Sequence, residues 1–423
     1  MTSLAEHEAR TAVSLTPLAL EADSRTFRIA QSLAEAGYRS IVVEGKPSAR
    51  HFWDGAIEVR SLGNSAGSNS AGSNSAGPPP SRSGRARRVI GALRDGRAGA
   101  PGEWLLYGGF RGDYWWRYGY RARRQLPSAA LYYLHSFEFY ETVAPVATRL
   151  GARIVYDAHD FYRGIEPDAK QRPFDRKRLR PLFNRLEDRA IAGADAVVTV
   201  SDGVAGLIEQ ACGRRPVVVR NCHDERQDRT PPADLRTALG LAHDDCLCVV
   251  VGNCKAGMAV EAAIAALAEL PPHFHLAFLG RGYEAVAAAP HPASVTARLH
   301  FGHVVAPSEI VPAIRSADVG LVLYEPYSEN YRYALPNGFF QVVAAGLPLV
   351  RAYLPEIEAA IGRRVVGECL PRLNPSELAQ AILRCAAHAA ALRPTVAALA
   401  DTLRWETETR CLRHLIDGLY GRA

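Results

Sequence analysis

The residues best placed to do chemistry are Asp157, His159 and Asp160, in the run RIVYDAHDFYRG. RIVY reads as a strand, so the polar group falls at its C-terminal end, where open α/β sheets present functional side chains. Alternation puts Asp157 and His159 on one side, and a carboxylate beside an imidazole can orient the ring and hold its proton. A lone histidine at such a place is more often structural; two flanking carboxylates turn the reading towards catalysis. A second group, Asp23, Ser24 and Arg25 in EADSRTFRIA, lies just ahead of an amphipathic helix. Asp23 or Ser24 serves as an N-cap, and a capped loop is also a place where a ligand can approach. Two apolar runs, CLCVVVGN and HLAFLGRG, end in Gly252-Asn253, with Lys255 close behind, and in Gly280-Arg281-Gly282. Glycines there permit close backbone approach, although such turns are common. The stretch 318–352, DVGLVLYEPYSENYRYALPNGFFQVVAAGLPLVRAY, reads as a strand ending near Tyr324, a polar loop, and a helix opening at Pro336-Asn337-Gly338 with Gln341 in its first turns. A Gly346-Leu347-Pro348 turn and another strand follow. Unpaired N–H groups and the helix dipole make such an opening a natural anion site.

The elements that must hold these groups alternate. TAVSLTPLAL (11–20) reads as a strand, SRTFRIAQSLAEAGY as a helix and RSIVVEG as a strand, a β–α–β opening that predicts a parallel sheet. The rhythm breaks at residues 64–77, NSAGSNSAGSNSAG, followed by three prolines and the basic run SRSGRARR. Small polar repeats bury too little surface to offset ordering entropy, so 64–88 is expected to be a flexible insertion within the first domain. The alternation then resumes with ALYYLHS, ARIVYDAHD, a helix at 176–194, DAVVTVS and PVVVRN. The polar segment 220–236 is the candidate linker, a second alternation starts at CLCVVVGN, and the chain closes in a helical tail from Pro394. The expected domains are 1–220, 221–393 and the tail 394–423.

At 423 residues, 48% hydrophobic and 22% charged, the chain suits two globular α/β domains. Residues 1–220 carry 32 Lys and Arg against 23 Asp and Glu; the remainder carries 18 against 21. A basic first half favours an anionic acceptor or membrane surface. Nucleic acid is not expected as a partner, because no groove-reading module accompanies the charge. All eight cysteines lie at or after Cys212 without disulfide-like spacing, which reads as free thiols in a reducing compartment. The polar, acidic first residues show no signal peptide, and no apolar run reaches the ~18–20 residues of a membrane span. The expected location is the cytoplasm, at the inner face of the membrane at most. Residues 111–124, within RGDYWWRYGYRARRQ, mix aromatic rings with arginines as interfacial surfaces do; an aromatic loop packed on the domain is the alternative.

YDAHD, LPN and AAGLP followed by a strand together resemble the GT-B glycosyltransferases of the family 4 type, in which two Rossmann-like domains face each other across a cleft and a C-terminal helix crosses back to the first domain. The resemblance covers most of the chain outside 64–101. It implies that His159, Asp160 and Asp157 lie beside the transferred sugar. It further implies that Asp23, Ser24 and Arg25 line the acceptor side, and that Gly252, Asn253, Lys255, Gly280, Arg281, Gly282, Tyr324, Asn337, Gly338 and Gln341 surround the donor nucleotide. The implied reaction moves a sugar from a nucleotide-sugar donor to a saccharide or lipid-linked acceptor in bacterial polysaccharide or glycoconjugate synthesis. Transfer would be of the hexosyl type with retention, with no metal and no cofactor besides the nucleotide-sugar substrate. A non-catalytic sugar- or nucleotide-binding homologue is the alternative. The chain departs from its relatives at three positions, where a basic residue after the glycine turn is Met258, a lysine is Gly338 and a glutamate is Gln341. A lysine introduced at 338 would tighten diphosphate binding if charge is the missing element, and weaken it if glycine is needed for a close backbone approach.

Overall fold

The computed structural model describes residues 10–421 except 50–52, 54, 63–98, 166–173, 232 and 303–305. The expected insertion at 64–88 lies outside the described residues. The chain divides into two compact units, residues 1–199, 205–218 and 413–423 in one, and 200–204 and 219–412 in the other. The tail is two helices, Ala389–Thr402 and Trp405–Leu419, and its residues from Arg413 onward fall in the first unit. There Tyr420 Oη donates to the Ala130 carbonyl at 2.7 Å.

The first unit is built on seven strands, β1 (Thr11–Thr16), β2 (Arg39–Glu44), β3 (Ile57–Ser61), β4 (Leu131–Leu134), β5 (Arg153–Ala158), β6 (Ala196–Thr199) and β7 (Val217–Val218). Their order is β3-β2-β1-β4-β5-β6-β7, and every pairing is parallel. β1 is buried along its whole length, as a central strand covered on both faces must be. The strand order reverses between β1 and β4, so the loops after β1, β4 and β5 converge at the crevice where such sheets bind ligands. The second unit repeats the plan with β8 (Cys246–Val251), β9 (Phe274–Leu279), β10 (Leu299–His300), β11 (Val319–Val322), β12 (Leu349–Ala352) and β13 (Gly367–Leu370), in the order β10-β9-β8-β11-β12-β13. Its switch point lies between β8 and β11, so the ends of β8, β9 and β11 come together.

Two segments differ from their sequence reading. Residues 99–125 form one continuous helix, α-helical over Gly99–Tyr114 and Ala122–Gln125 and wound as a π-helix over Trp115–Arg121. Its inner face packs Phe110 and Tyr114 on Phe183, and Tyr118 on Phe139. The polar segment 220–236 is not a loose linker but part of the second unit. Cys222 is fully buried, and the buried Asp224 carboxylate accepts from Arg226 and Gln227. Both polar runs are held by tertiary contacts that local composition does not reveal.

Candidate active-site residues of the two units

At the crevice of the first unit a chain of buried ionic groups links the three converging loops. Asp23 caps the helix Ser24–Glu35 through a bond from Thr26 N to Oδ1 at 3.1 Å, and its Oδ2 accepts from the Thr16 and Thr26 hydroxyls at 2.7 and 2.6 Å. One helical step on, Arg25 lies only 3% exposed and grips Asp157 with two bonds of 2.9 Å, Nε to Oδ2 and Nη2 to Oδ1. Such a bidentate pair is among the stronger polar contacts available. Asp157 Oδ2 also accepts from Tyr133 Oη at 3.2 Å. His159 follows two residues on, its Nε2 3.7 Å from Asp157 Oδ2, with a side chain 30% exposed. Asp160 points outward and Ser24 is half-buried.

The electrostatics follow from this packing. Burial works against ionising Asp157, but the charges of Arg25 and His159 outweigh it and hold the carboxyl well below the usual range. Burial likewise disfavours a charged His159, yet the Asp157 carboxylate raises its imidazole above the ordinary value. Asp157 therefore acts on His159 and Arg25 from inside the protein. Of the first-unit residues singled out in the sequence, His159 is the titrating group that combines a partly open face with a charged partner. Asp23 and Arg25 are interior supports and not a ligand-facing surface.

His135, the residue that sequence reasoning missed, directly follows β4. Its Nδ1 lies 3.1 Å from His159 Nε2. His135, Asp157 and His159 offer donor atoms that all lie within 4.8 Å, a spacing a metal ion could use. The Asp157 oxygen in that set, however, already takes Arg25 Nε and Tyr133 Oη. Ligation would require opening a buried bidentate ion pair and placing a cation against a guanidinium, so these residues do not fit a metal.

In the second unit the glycine turns pack backbone to backbone. A Cβ on Gly280 (φ +157°) would lie 2.1 Å from the Gly252 carbonyl oxygen, so only glycine lets these loops meet. Asn253 Oδ1 accepts from Arg281 N at 2.9 Å, and Cys254 N donates to the Arg281 carbonyl at 2.8 Å. Lys255 is exposed, its Nζ 5.5 Å from the ring centroids of both Tyr324 and Tyr331. That is cation–π range on two faces, which holds the ammonium without neutralising it. Tyr324 is buried, bridged through its backbone to Met258, and burial pushes its phenol up to about 12.

The helix Asn337–Ala344 opens behind Pro336 with no side-chain cap. Asn337 is exposed and its Oδ1 accepts from Asn221 Nδ2; Gln341 is half-buried. Gly338 is buried, and a Cβ there would stand 2.4 Å from the carbonyl oxygen of Val251 at the end of β8. The close approach that glycine permits is therefore to the neighbouring strand.

Residues 24–227 match the family model described as Glycosyltransferase Family 4. No curated protein sequence matches the chain. Among solved structures, sucrose-phosphate synthase from Thermosynechococcus elongatus superposes with a TM-score of 0.64 at 15% identity, over 98% of this chain and 100% of that one. HepE of Anabaena, solved in complex with UDP-glucose, gives 0.62 at 16% identity, over 96% and 99%. WaaG, a glycosyltransferase involved in lipopolysaccharide biosynthesis, gives 0.61 at 14% identity, over 96% and 100%. Residues 24–227 thus match the Glycosyltransferase Family 4 model, and the fold of two parallel-sheet units is shared along the chain's length with these GT-B structures.

Proposed function

We propose that this protein transfers a sugar from a nucleotide-sugar donor, bound by the second unit, to a saccharide or lipid-linked acceptor, with His159 acting on the transferred sugar. The observation that carries the reading is the switch point of the second sheet. Three strand ends bring together the locked turns at 252–254 and 280–282 and a lysine held on two tyrosine rings, a setting suited to a diphosphate. A structure of the same fold holding UDP-glucose supports that donor class. Retention and independence of metal are part of the proposal: Lys255 and the Asn337 helix N-terminus offer positive potential without a metal ion. A role in bacterial surface-polysaccharide synthesis agrees with WaaG among the similar structures.

The helix 99–125 extends the proposal to peripheral contact with the inner face of a membrane. Trp104, Leu105, Trp115, Trp116 and Tyr120 are exposed on it beside Arg111, Arg117, Arg123 and Arg124. Among the described residues no helix is long and apolar enough to cross a membrane. Exposed rings and guanidinium groups along one helix suit an anionic lipid interface, which vesicle co-sedimentation tests.

The central test combines a thermal-shift panel of nucleoside diphosphates and nucleotide sugars with donor turnover. The donor should raise the melting temperature, and His159→Ala should lower turnover by roughly 10²–10⁴-fold while leaving nucleotide affinity and melting nearly unchanged. Full activity in a stable His159→Ala protein would overturn the assignment. Nucleotide-dependent stabilisation without donor turnover in the wild type would indicate a binding subunit.

A further inference from the structure

The contacts of His159 do not fall evenly on its two ring nitrogens. Nε2 lies 3.1 Å from His135 Nδ1 and 3.7 Å from Asp157 Oδ2. Nδ1 meets no protein group among the described residues, while the side chain remains 30% exposed. The His135 ring is fully buried, its Nδ1 3.8 Å from the same Asp157 oxygen. It packs at 5.0 Å against the ring of Tyr133, itself fastened to Asp157. The two imidazoles meet edge to face, centroids 5.3 Å apart at 68°.

We infer that His135 is a positioning residue, which fixes the His159 ring through an Nδ1···Nε2 hydrogen bond, commits Nε2 to the protein and leaves Nδ1 as the nitrogen offered to substrate. One proton lies between the two nitrogens. Burial, and then the charge on His159, keep His135 neutral, so it accepts that proton from a charged His159. His159 then presents Nδ1–H as an outward donor. If His159 is neutral and His135 donates instead, the remaining proton of His159 again sits on Nδ1. Asp157 reaches both nitrogens from one side and biases the pair towards the charged form. The His135 Nε2 is buried with no partner among the described residues, so its contacts do not compete for the tautomer.

The consequence for transfer rests on the proposed role of His159; the positioning itself does not. Two variants of the full chain separate them. His135→Leu fills the space and removes the bond, whereas His135→Asn places an amide near the former Nδ1. Histidine ¹⁵N resonances, with those of His159 assigned by their loss in His159→Ala, report the state of each nitrogen. The inference expects His135→Leu to move the His159 Nε2 resonance and its titration. It expects kcat to fall roughly 10²-fold, the scale of a misplaced group, with little change in donor KM. His135→Asn should restore most of both. Unchanged His159 resonances in His135→Leu, or in His135→Phe should the leucine variant not fold, would overturn the inference. Moved resonances with unchanged kcat would support the positioning and count against His159 in transfer.

Discussion

Gly338 offers the sharpest test of how the second unit is built. Its would-be Cβ stands 2.4 Å from the Val251 carbonyl oxygen, against about 3.3 Å or more for a relaxed carbon–oxygen contact. Any side chain must push the helix Asn337–Ala344 back by roughly 1 Å. That helix cannot yield without loss, because Phe339, Phe340, Val342 and Val343 on its inner side are essentially buried. A gap of that size forfeits a quarter to a half of the dispersion at each contact, and overpacking a tight site costs about 1–3 kcal/mol. We therefore expect Gly338→Ala to lower the stability of the second unit by about 2 kcal/mol, some 4–8 °C in melting temperature at about 2–4 °C per kcal/mol. Gly338→Lys should do the same or worse and weaken nucleoside-diphosphate binding, since the helix start moves away from the strand ends. Calorimetric unfolding, read alongside titration with UDP, separates steric from charge effects, because alanine carries the first without the second. A Gly338→Lys protein as stable as wild type that binds UDP more tightly would refute the steric argument and restore the expectation that charge is what position 338 lacks.

Two further outcomes follow from the first unit. Glu187 is buried, accepting from Tyr162 N and Tyr156 Oη, and burial pushes its carboxyl up to about 7 from 4.5. The folded state keeps a proton that the unfolded chain loses above 4.5, so stability should fall as pH rises from about 4.5 to 7, by on the order of 3 kcal/mol. Glu187→Gln should flatten that dependence in urea unfolding, and an equal slope in both proteins would rule the cause out. Replacing Trp115 and Trp116 together by alanine should release the protein from anionic vesicles by about tenfold or more, with neutral vesicles bound weakly throughout and salt weakening the anionic case. Unchanged partitioning of the double variant would move the interface elsewhere.

What the sequence disclosed follows its local periodicities. Strand-length apolar runs and the residues at their ends located the sheets and the loops at both switch points, because a strand end and a glycine turn are near neighbours in the chain. The support beneath His159 was hidden for the opposite reason. Arg25 and Asp157 are 132 positions apart, and His135 gains its partner only when β4 lies between β1 and β5. A single histidine after LYYL carries no pattern that announces this, although its place at the C-terminal end of a predicted strand, like that of His159, was a usable signal. The helix 99–125 was obscured by Gly108, Gly109, Gly112 and Gly119 among bulky aromatics, all weak helix formers. Tertiary packing of Phe110, Tyr114 and Tyr118 overrides that propensity.

The same distinction bears on the basic residues that the family resemblance leads one to expect at positions 258 and 338. Read as a string, a methionine at 258 and a glycine at 338 in place of basic residues look like the loss of a function. In the fold both positions are closed. Met258 is buried and bridged through its backbone to Tyr324, and Gly338 lies against Val251. A charged side chain at either would be desolvated or would displace a helix, at a cost of several kcal/mol. Loss of function by drift has no need to keep such positions packed. Lys255 remains close to the same turns, exposed and held over Tyr324 and Tyr331. One lysine between two rings is a weaker clamp than two fixed cations, but under the proposed function its flexible four-carbon stem lets the ammonium reach a diphosphate. That pattern favours a transferase whose donor charge is met from a different residue over one whose donor site has decayed.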